Sequence, residues 1–252
     1  MKIQYASDLH LEFPQNWNFL KNNPLQPKGE VLVLAGDIVP FAVMAKYDDF
    51  FDYVSVNFKV VYWIPGNHEY YRFDAAEKCG ILYEQIRNNV FLVNNFSIVL
   101  GDVKFIYSTL WSKISTAQQW VIEQSLNDFH VVKYKGNRLT VAQYNQFHKE
   151  SIEFIQKELV DDKANKVVVV THHAPTFMNY PQKYKGSDLN EAFTTELFGL
   201  IEQNGPDYWI YGHIHSNTPA FKIGKTQLLT NQVGYVHDSE NQDFNPYAIF
   251  EV

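Results

Sequence analysis

Five short blocks carry side chains able to bind a divalent cation: Asp8-Leu9-His10, Gly36-Asp37, Gly66-Asn67-His68-Glu69, Thr171-His172-His173 and Gly212-His213-Ile214-His215. Six of the nine histidines fall in them. The donors are imidazole, carboxylate and amide oxygen, without thiolate, a set that suits Mn, Fe, Zn or Ni better than a soft-metal site. Each block alone says little, because Gly-Asp reads equally well as a turn and a lone histidine at a strand end is commonly structural. His213-x-His215 says more. Alternate residues of an extended chain project to the same side and can meet one centre or two neighbours.

What must position these blocks is a set of short strands. Ile3–Ala6, Val31–Ala35, Val60–Ile64, Val167–Val170 and Tyr208–Tyr211 each lead into one block, the first through Ser7 and the third through Pro65, and Val103–Tyr107 is a sixth run of the same kind. They are too short for helices and read as buried strands. Ligands of open α/β sheets bind beyond the carboxyl ends of strands, which is where all five blocks stand. Helical patterns lie between several strands. Met44, Tyr47, Phe50, Phe51 and Val54 share one face. Asp74 with Glu77, Thr140 with Gln143, and Asp188 with Glu191 have capping-box spacing. The first is expected to open a helix that buries Cys79, Tyr83 and Ile86. The second opens one burying Tyr144, His148, Ile152, Ile155 and Leu159. The third opens one burying Phe193, Leu197, Leu200 and Ile201, which stops at Asn204-Gly205-Pro206 with a C′ glycine. Segments around Ala220–Ile223, Gln227–Thr230 and Tyr247–Val252 suggest an antiparallel finish. The whole reads as one mixed α/β domain over residues 1–252, with 109–165 as a helical insert or flap.

Composition narrows the class. Hydrophobic residues make up 46% and charged residues 19% of 252, the balance of a globular domain. The net charge of -7 and the lack of a Lys/Arg run argue against nucleic acid as a partner. One cysteine, Cys79, excludes an intrachain disulfide framework and fits a reducing compartment, the cytoplasm. The N-terminus carries no apolar signal segment, and no run is long enough to cross a bilayer. Oligomeric state leaves no mark on the sequence.

Taken together, Asp8-x-His10, Gly36-Asp37, Gly66-Asn67-His68-Glu69, His172 ahead of Pro175, and Gly212-His213-x-His215 resemble the calcineurin-like metallophosphoesterase superfamily, in that family's order. The resemblance implies an α/β (α+β) fold of two mixed β-sheets, sandwiched and flanked by helices in four layers, with two divalent metal ions at the strand ends. By position, Asp8, His10 and His215 match ligands of the first metal, and Asn67, His172 and His213 match ligands of the second. Asp37 matches the bridge. His172 is preferred to His173 because it directly ends its strand. His68 matches the outer-sphere catalytic histidine, and Glu69 is expected to orient it. The implied activity is hydrolysis of a small-molecule phosphate monoester or diester by a metal-activated hydroxide.

The chemistry is coherent without the name. Two cations can share a hydroxide and clamp the attacking and leaving oxygens of an in-line displacement. With Asp8 and Asp37 as the only anionic donors, two M²⁺ ions leave a local formal charge of +2, which draws phosphate to an acidic protein. His68 can supply a proton to the leaving group near neutral pH.

The remaining candidates are weaker. His148 lies on an apolar stripe and reads as a core residue, His130 sits in the insert, and His237 is uninformative. Tyr70, Tyr71 and Arg72 could line the pocket, with Arg72 on the phosphate. The loop Thr176–Ser187, with Tyr180, Lys183, Tyr184 and Lys185, could choose the substrate. Asn231–Tyr235 suggests no chemistry. The alternative to an enzyme is a catalytically silent metal-binding scaffold, which would be expected to have eroded ligands. The protein serine/threonine phosphatase branch fits poorly, since Ile38-Val39-Pro40 follows Asp37 and Pro65 precedes Gly66.

Overall fold

The apolar runs become strands because both of their faces are covered. The computed structural model describes residues 1–160 and 164–252. Its first half forms β1 (Lys2–Ala6), β2 (Val31–Ala35), β3 (Val60–Ile64), β4 (Leu82–Arg87), β5 (Val90–Asn94), β6 (Phe96–Leu100) and β7 (Val103–Ser108). The second half adds β8 (Lys133–Tyr134), β9 (Asn137–Arg138), β10 (Lys166–Thr171), β11 (Tyr208–Ile210), β12 (Phe221–Ile223), β13 (Thr226–Leu229) and β14 (Ile249–Glu251). One six-stranded sheet has the order β14-β1-β2-β3-β5-β4 and the other β12-β13-β11-β10-β7-β6. Each sheet pairs four central strands in parallel and closes with antiparallel edges.

The helices are α1 (Pro14–Asn22), α2 (Asp48–Asn57), α3 (Gln119–Ser125), α4 (Asp128–Val131), α5 (Val141–Val160) and α6 (Phe198–Asn204). Strand alternation sorts the core into layers. Val31, Val33 and Ala35 face Phe105, Tyr107, Val168 and Val170 between the sheets. Leu32 and Leu34 turn the other way, with Trp63, onto Phe50, Phe51 and Val54 of α2. Across the molecule, Ile106, Val169 and Trp209 pack on Ile155 of α5 and Ile201 of α6. Helix, sheet, sheet and helix stack as the resemblance implies. Each fully buried large apolar side chain contributes about 1.5–3 kcal/mol through the area removed from water.

Three helix expectations fare differently. Thr140 and Gln143 do form a capping box: Thr140 N donates to Gln143 Oε1 at 2.9 Å and Gln143 N to Thr140 Oγ1 at 3.4 Å, and α5 follows. Tyr144, His148 and Ile155 of its stripe are buried, and His148 Nδ1 lies 3.2 Å from Leu110 O. The helix expected after Asp74 is instead a short 3-10 turn, Ala75–Glu77, followed by β4. Asp74 caps Ala76 N there, and antiparallel pairing with β5 overrides the helical spacing of Cys79, Tyr83 and Ile86. The third helix starts later than expected, at Phe198, after a 3-10 turn at Asn190–Ala192, and ends at Asn204 as expected. Gly205 is extended, with φ −65°, rather than the left-handed cap expected; a Cβ there would collide with Ile201 O and Thr226 Oγ1. The chain's finish is mixed: β12 and β13 pair antiparallel, β13 joins β11 in parallel, and β14 crosses to β1.

The span 109–165, of which residues 161–163 lie outside the described residues, supplies α3, α4, the β8–β9 ribbon and α5. Its apolar side chains Trp111, Ile122, Phe129 and Tyr144 form a separate cluster with Tyr70, next to the block that follows β3. Among the described residues no helix is long and apolar enough to cross a membrane.

Candidate metal centre

The carboxyl ends of β1, β2, β3, β10 and β11 open on one edge of the sandwich, and the five blocks meet there. Asp8, His10, Asp37 and His215 offer ligand atoms within 4.8 Å of one another, and so do Asp37, His172 and His213. Asp37 belongs to both groups. Asn67 Oδ1 stands 3.3 Å from His172 Nε2, on the side of the second group. Asp8, His10, Asp37, Asn67, His172 and His213 are buried, and His215 is partly exposed.

The turns that deliver them are tight. Asp8, His10, Asp37, His213 and His215 all have left-handed backbone, with φ between 42° and 73°. Outside glycine this region is sparsely populated, with Asp and His among the more tolerant residues. Gly66 is there for space, since a Cβ would strike Asp37 Oδ1 and His172 Nε2. Backbone amides also converge: His213 N donates to Asp8 Oδ1 at 3.0 Å, and His68 N to Asp37 Oδ1 at 2.9 Å.

The donor set fits cations. His172 Nδ1 donates to Ala35 O at 2.9 Å, so its Nε2 lone pair faces Asp37 Oδ1 at 3.4 Å and His213 Nδ1 at 3.1 Å. His10 Nδ1 and His215 Nδ1 are held by Glu12 Oε1 (3.3 Å) and Glu240 Oε2 (2.7 Å), which turns their Nε2 atoms toward each other at 2.9 Å. His213 Nε2 is buried without a hydrogen-bond partner. Lone pairs facing lone pairs beside two buried carboxylates require positive charge, and a carboxylate behind a ligating imidazole is the usual outer support.

The electrostatics of these groups reflect that demand. Burial alone would raise the Asp37 carboxyl, but the charges of His172 and His68 outweigh it and hold it well below the usual range. Burial would lower His172 and His215, yet Asp37 raises the first to about 9, and Asp8 and Glu240 raise the second to about 10. Without cations, protons fill the same role.

His68 stands beside this cluster. Its Nδ1 lies 3.0 Å from Glu12 Oε1, its Nε2 3.2 Å from Tyr235 Oη, and its ring stacks on Tyr71 at 4.0 Å. Burial would raise Glu12, but its bonds to His10 and His68 bring it down to about 2. Glu69 does not orient His68. It accepts N–H bonds from Asp37, Ile38, Gly66 and Trp63 Nε1 at 2.7–3.0 Å, and so ties the loop after β2 to the loop after β3. Burial and Asp37 push its carboxyl up to about 8; the donors meeting both oxygens oppose them and favour the ionised form.

Other expectations separate clearly. His173 turns away, with Nε2 3.0 Å from Tyr144 Oη and Nδ1 3.3 Å from Thr109 O. His130, His237 and Arg72 are exposed. Tyr70 is buried in the apolar cluster around Trp111 and Tyr144, and Cys79 packs against it, its thiol raised to about 11 by burial. Tyr71, Tyr180 and Tyr184 do line a cavity of about 440 Å³ that opens from the cluster, together with Leu126, Leu189 and Phe193. Among the described residues that line it there is no lysine or arginine.

Sequence reasoning missed Glu12, Asp128, Tyr235, Glu240 and Gln232. Glu12 had a local signal, since it continues the alternate spacing of Asp8 and His10. Asp128 accepts from Asn67 Nδ2 and Tyr71 Oη, both at 2.9 Å. Gln232 Oε1 accepts from His215 N at 2.7 Å. These partnerships arise only on folding.

Residues 1–217 match the calcineurin-like phosphoesterase family. An uncharacterized protein of Acanthamoeba polyphaga mimivirus is 34% identical over an alignment of 281 residues, covering 99% of this chain and 96% of that one. Among solved structures, a phosphopantetheinyl hydrolase from Mycobacterium tuberculosis superposes with a TM-score of 0.74 at 15% identity, over all of this chain and 95% of its own. A dimetal phosphatase from Danio rerio gives 0.51 at 14% identity, over 99% and 91%. At such identities the likeness to these structures concerns the fold.

Proposed function

Because the chain belongs to the calcineurin-like phosphoesterase family, and is therefore a metal-dependent phosphoric ester hydrolase, we propose that it cleaves a small-molecule phosphate monoester or diester at this cluster. In this reading Asp8, His10 and His215 would hold one divalent cation, Asn67, His172 and His213 would hold the other, and Asp37 would serve both. The observation that carries it is the membership of Asp37 in both donor groups. When bound, the ions supply a hydroxide nucleophile at neutral pH and electrophilic stabilisation of the phosphate oxygens. The donors suit Mn, Fe, Zn or Ni.

The chain's own residues do the rest. His68, oriented by Glu12 and stacked on Tyr71, donates a proton to the departing oxygen. Tyr235 Oη, 3.2 Å from His68 Nε2, helps to hold the imidazole in place. The aromatic, uncharged wall of Tyr180, Tyr184 and Phe193 excludes water around an organic group, and the cavity volume falls within the range of small-molecule sites. No lysine or arginine among the described residues lines the cavity itself, but Lys183 Nζ stands at its rim, 4.6 Å from the centre of the Tyr184 ring and 3.9 Å from Glu240 Oε1. The span 109–165, which brings Leu126 to this wall, serves as a flap over it. Cys79, a free and half-buried thiol and the sole cysteine of the sequence, supports a cytoplasmic setting.

The test is reconstitution of the metal-free chain with Mn, Ni, Zn or Fe, followed by initial rates on nitrophenyl phosphate and bis(nitrophenyl) phosphate. Turnover should depend on metal and fall at least about 100-fold in Asp37→Ala and Asn67→Ala, the scale of losing transition-state charge stabilisation. Unchanged rates in both variants would remove the ligand assignment.

A further inference from the structure

Asn67 is an amide, and an amide has two unlike ends. Only its carbonyl oxygen can ligate a cation; the NH₂ end would repel one. Nothing in the block Gly66-Asn67-His68-Glu69 fixes which end faces the cluster. The partner that does so comes from the span 109–165. Asp128, the first residue of α4, is fully buried, and its Oδ1 accepts from Asn67 Nδ2 at 2.9 Å. Tyr71 Oη, 2.9 Å away, donates to the same oxygen. Asp128 Oδ2 has no hydrogen-bond partner although it is buried. A carboxyl so enclosed is costly to bury and is not explained by the packing around it.

We infer that Asp128 is a positioning residue that fastens the NH₂ end of Asn67 and thereby presents its carbonyl oxygen to the second cation. The inference rests on Asn67 being a ligand, as proposed above. It gives the insert a role in metal binding as well as in walling the cavity: α4 closes on the block after β3 through this bond, and its neighbours Leu126 and Asn127 line the cavity. An outer carboxylate that orients a ligand usually accounts for ten- to a hundredfold in metal affinity.

The experiment titrates Mn²⁺ alone into metal-free full-length chain by calorimetry, with melting curves of each metal-free variant beforehand. Asp128→Leu removes the acceptor while keeping the branching at Cγ and should weaken one of the two Mn²⁺ sites about ten- to a hundredfold while sparing the other. Asp128→Asn keeps an acceptor and should stay within about threefold of wild type. Tyr71→Phe, which removes the second donor to Asp128 and the long 3.5 Å contact of Asn67 Nδ2 with Tyr71 Oη but leaves the 2.9 Å bond to Asp128, should behave likewise. Wild-type affinity in Asp128→Leu beside weakened binding in Asn67→Ala overturns this inference alone. Wild-type affinity in Asn67→Ala overturns the ligand assignment and this inference with it. Equal losses in Asp128→Leu and Asp128→Asn also overturn it, because charge rather than orientation would then be at work. A measurement on the wild-type chain needs no variant to fold: the side-chain amide protons of Asn67 should exchange slowly by NMR in the metal-free protein and remain protected after Zn²⁺ is added. Fast exchange in either state counts against the bond.

Discussion

Glu12 Oε1 sits 3.0 Å from His68 Nδ1, so the imidazole beside the metal cluster is held by a carboxylate from the turn after β1, not by the adjacent Glu69. The same oxygen lies 3.3 Å from His10 Nδ1, so one side chain serves both a proposed ligand and the proposed proton donor.

Glu12→Gln should therefore act according to the leaving group. Alkyl phosphates need the proton and should lose about 10–100-fold in kcat, whereas nitrophenyl phosphate, whose leaving group is stable as an anion, should lose only about threefold. His68→Ala should show the same pattern more strongly. Equal losses on both substrates would mean that Glu12 acts only through His10.

Glu240 holds His215 Nδ1 at 2.7 Å, and Glu240→Ala frees the ring to rotate. Mn²⁺ affinity should fall about 10–100-fold by calorimetry. An unaltered titration would show that the neighbouring packing suffices to fix the imidazole.

The raised histidines give the metal-free protein a definite pH response. His172 and His215, at about 9 and about 10 when folded, contribute stability that is fully present below their unfolded value near 6.5 and is lost as pH rises through 9 to 10. Glu12, lowered to about 2, contributes stability present above its unfolded value of 4.5 and lost as pH falls toward 2. Melting temperature without metal should thus decline on both sides of the neutral range. Metal affinity should move the other way on the alkaline limb, because ligation requires both rings to give up their protons, and proton release on binding should be measurable at pH 7.

Glu69→Ala should cost stability. It would orphan the buried N–H groups of Asp37, Ile38, Gly66 and Trp63, each worth about 1–3 kcal/mol when left unpaired. A large drop in melting temperature is expected. Its absence would indicate that the two loops hold their shape independently.

Much of the scaffold could be read from the sequence, for a physical reason. Val31–Ala35 and Val60–Ile64 are buried on both faces, so they are written as unbroken apolar runs, and their strand bounds agree with the structure. Leu82–Arg87 lies near the sheet's edge with alternating exposure, and its residues also fit a helical spacing; only the pairing with β5 decides between the two. At the site, the blocks themselves could be found because each is local. Asp128 and Glu240 could not, since each meets its partner across a span that only folding closes: Asp128 reaches Asn67, 61 positions earlier, and Glu240 reaches His215, 25 positions earlier.

The left-handed turns at Asp8, His10, Asp37, His213 and His215 bear on what happens when a chelator strips the protein. Such backbone persists only where its surroundings over-determine it, and here the surroundings are two sheets with apolar cores on either side. The mould is therefore cast before anything is poured into it. Dialysis against EDTA should abolish turnover yet leave the far-ultraviolet circular dichroism intact, unlike a zinc finger, which unravels with its ion.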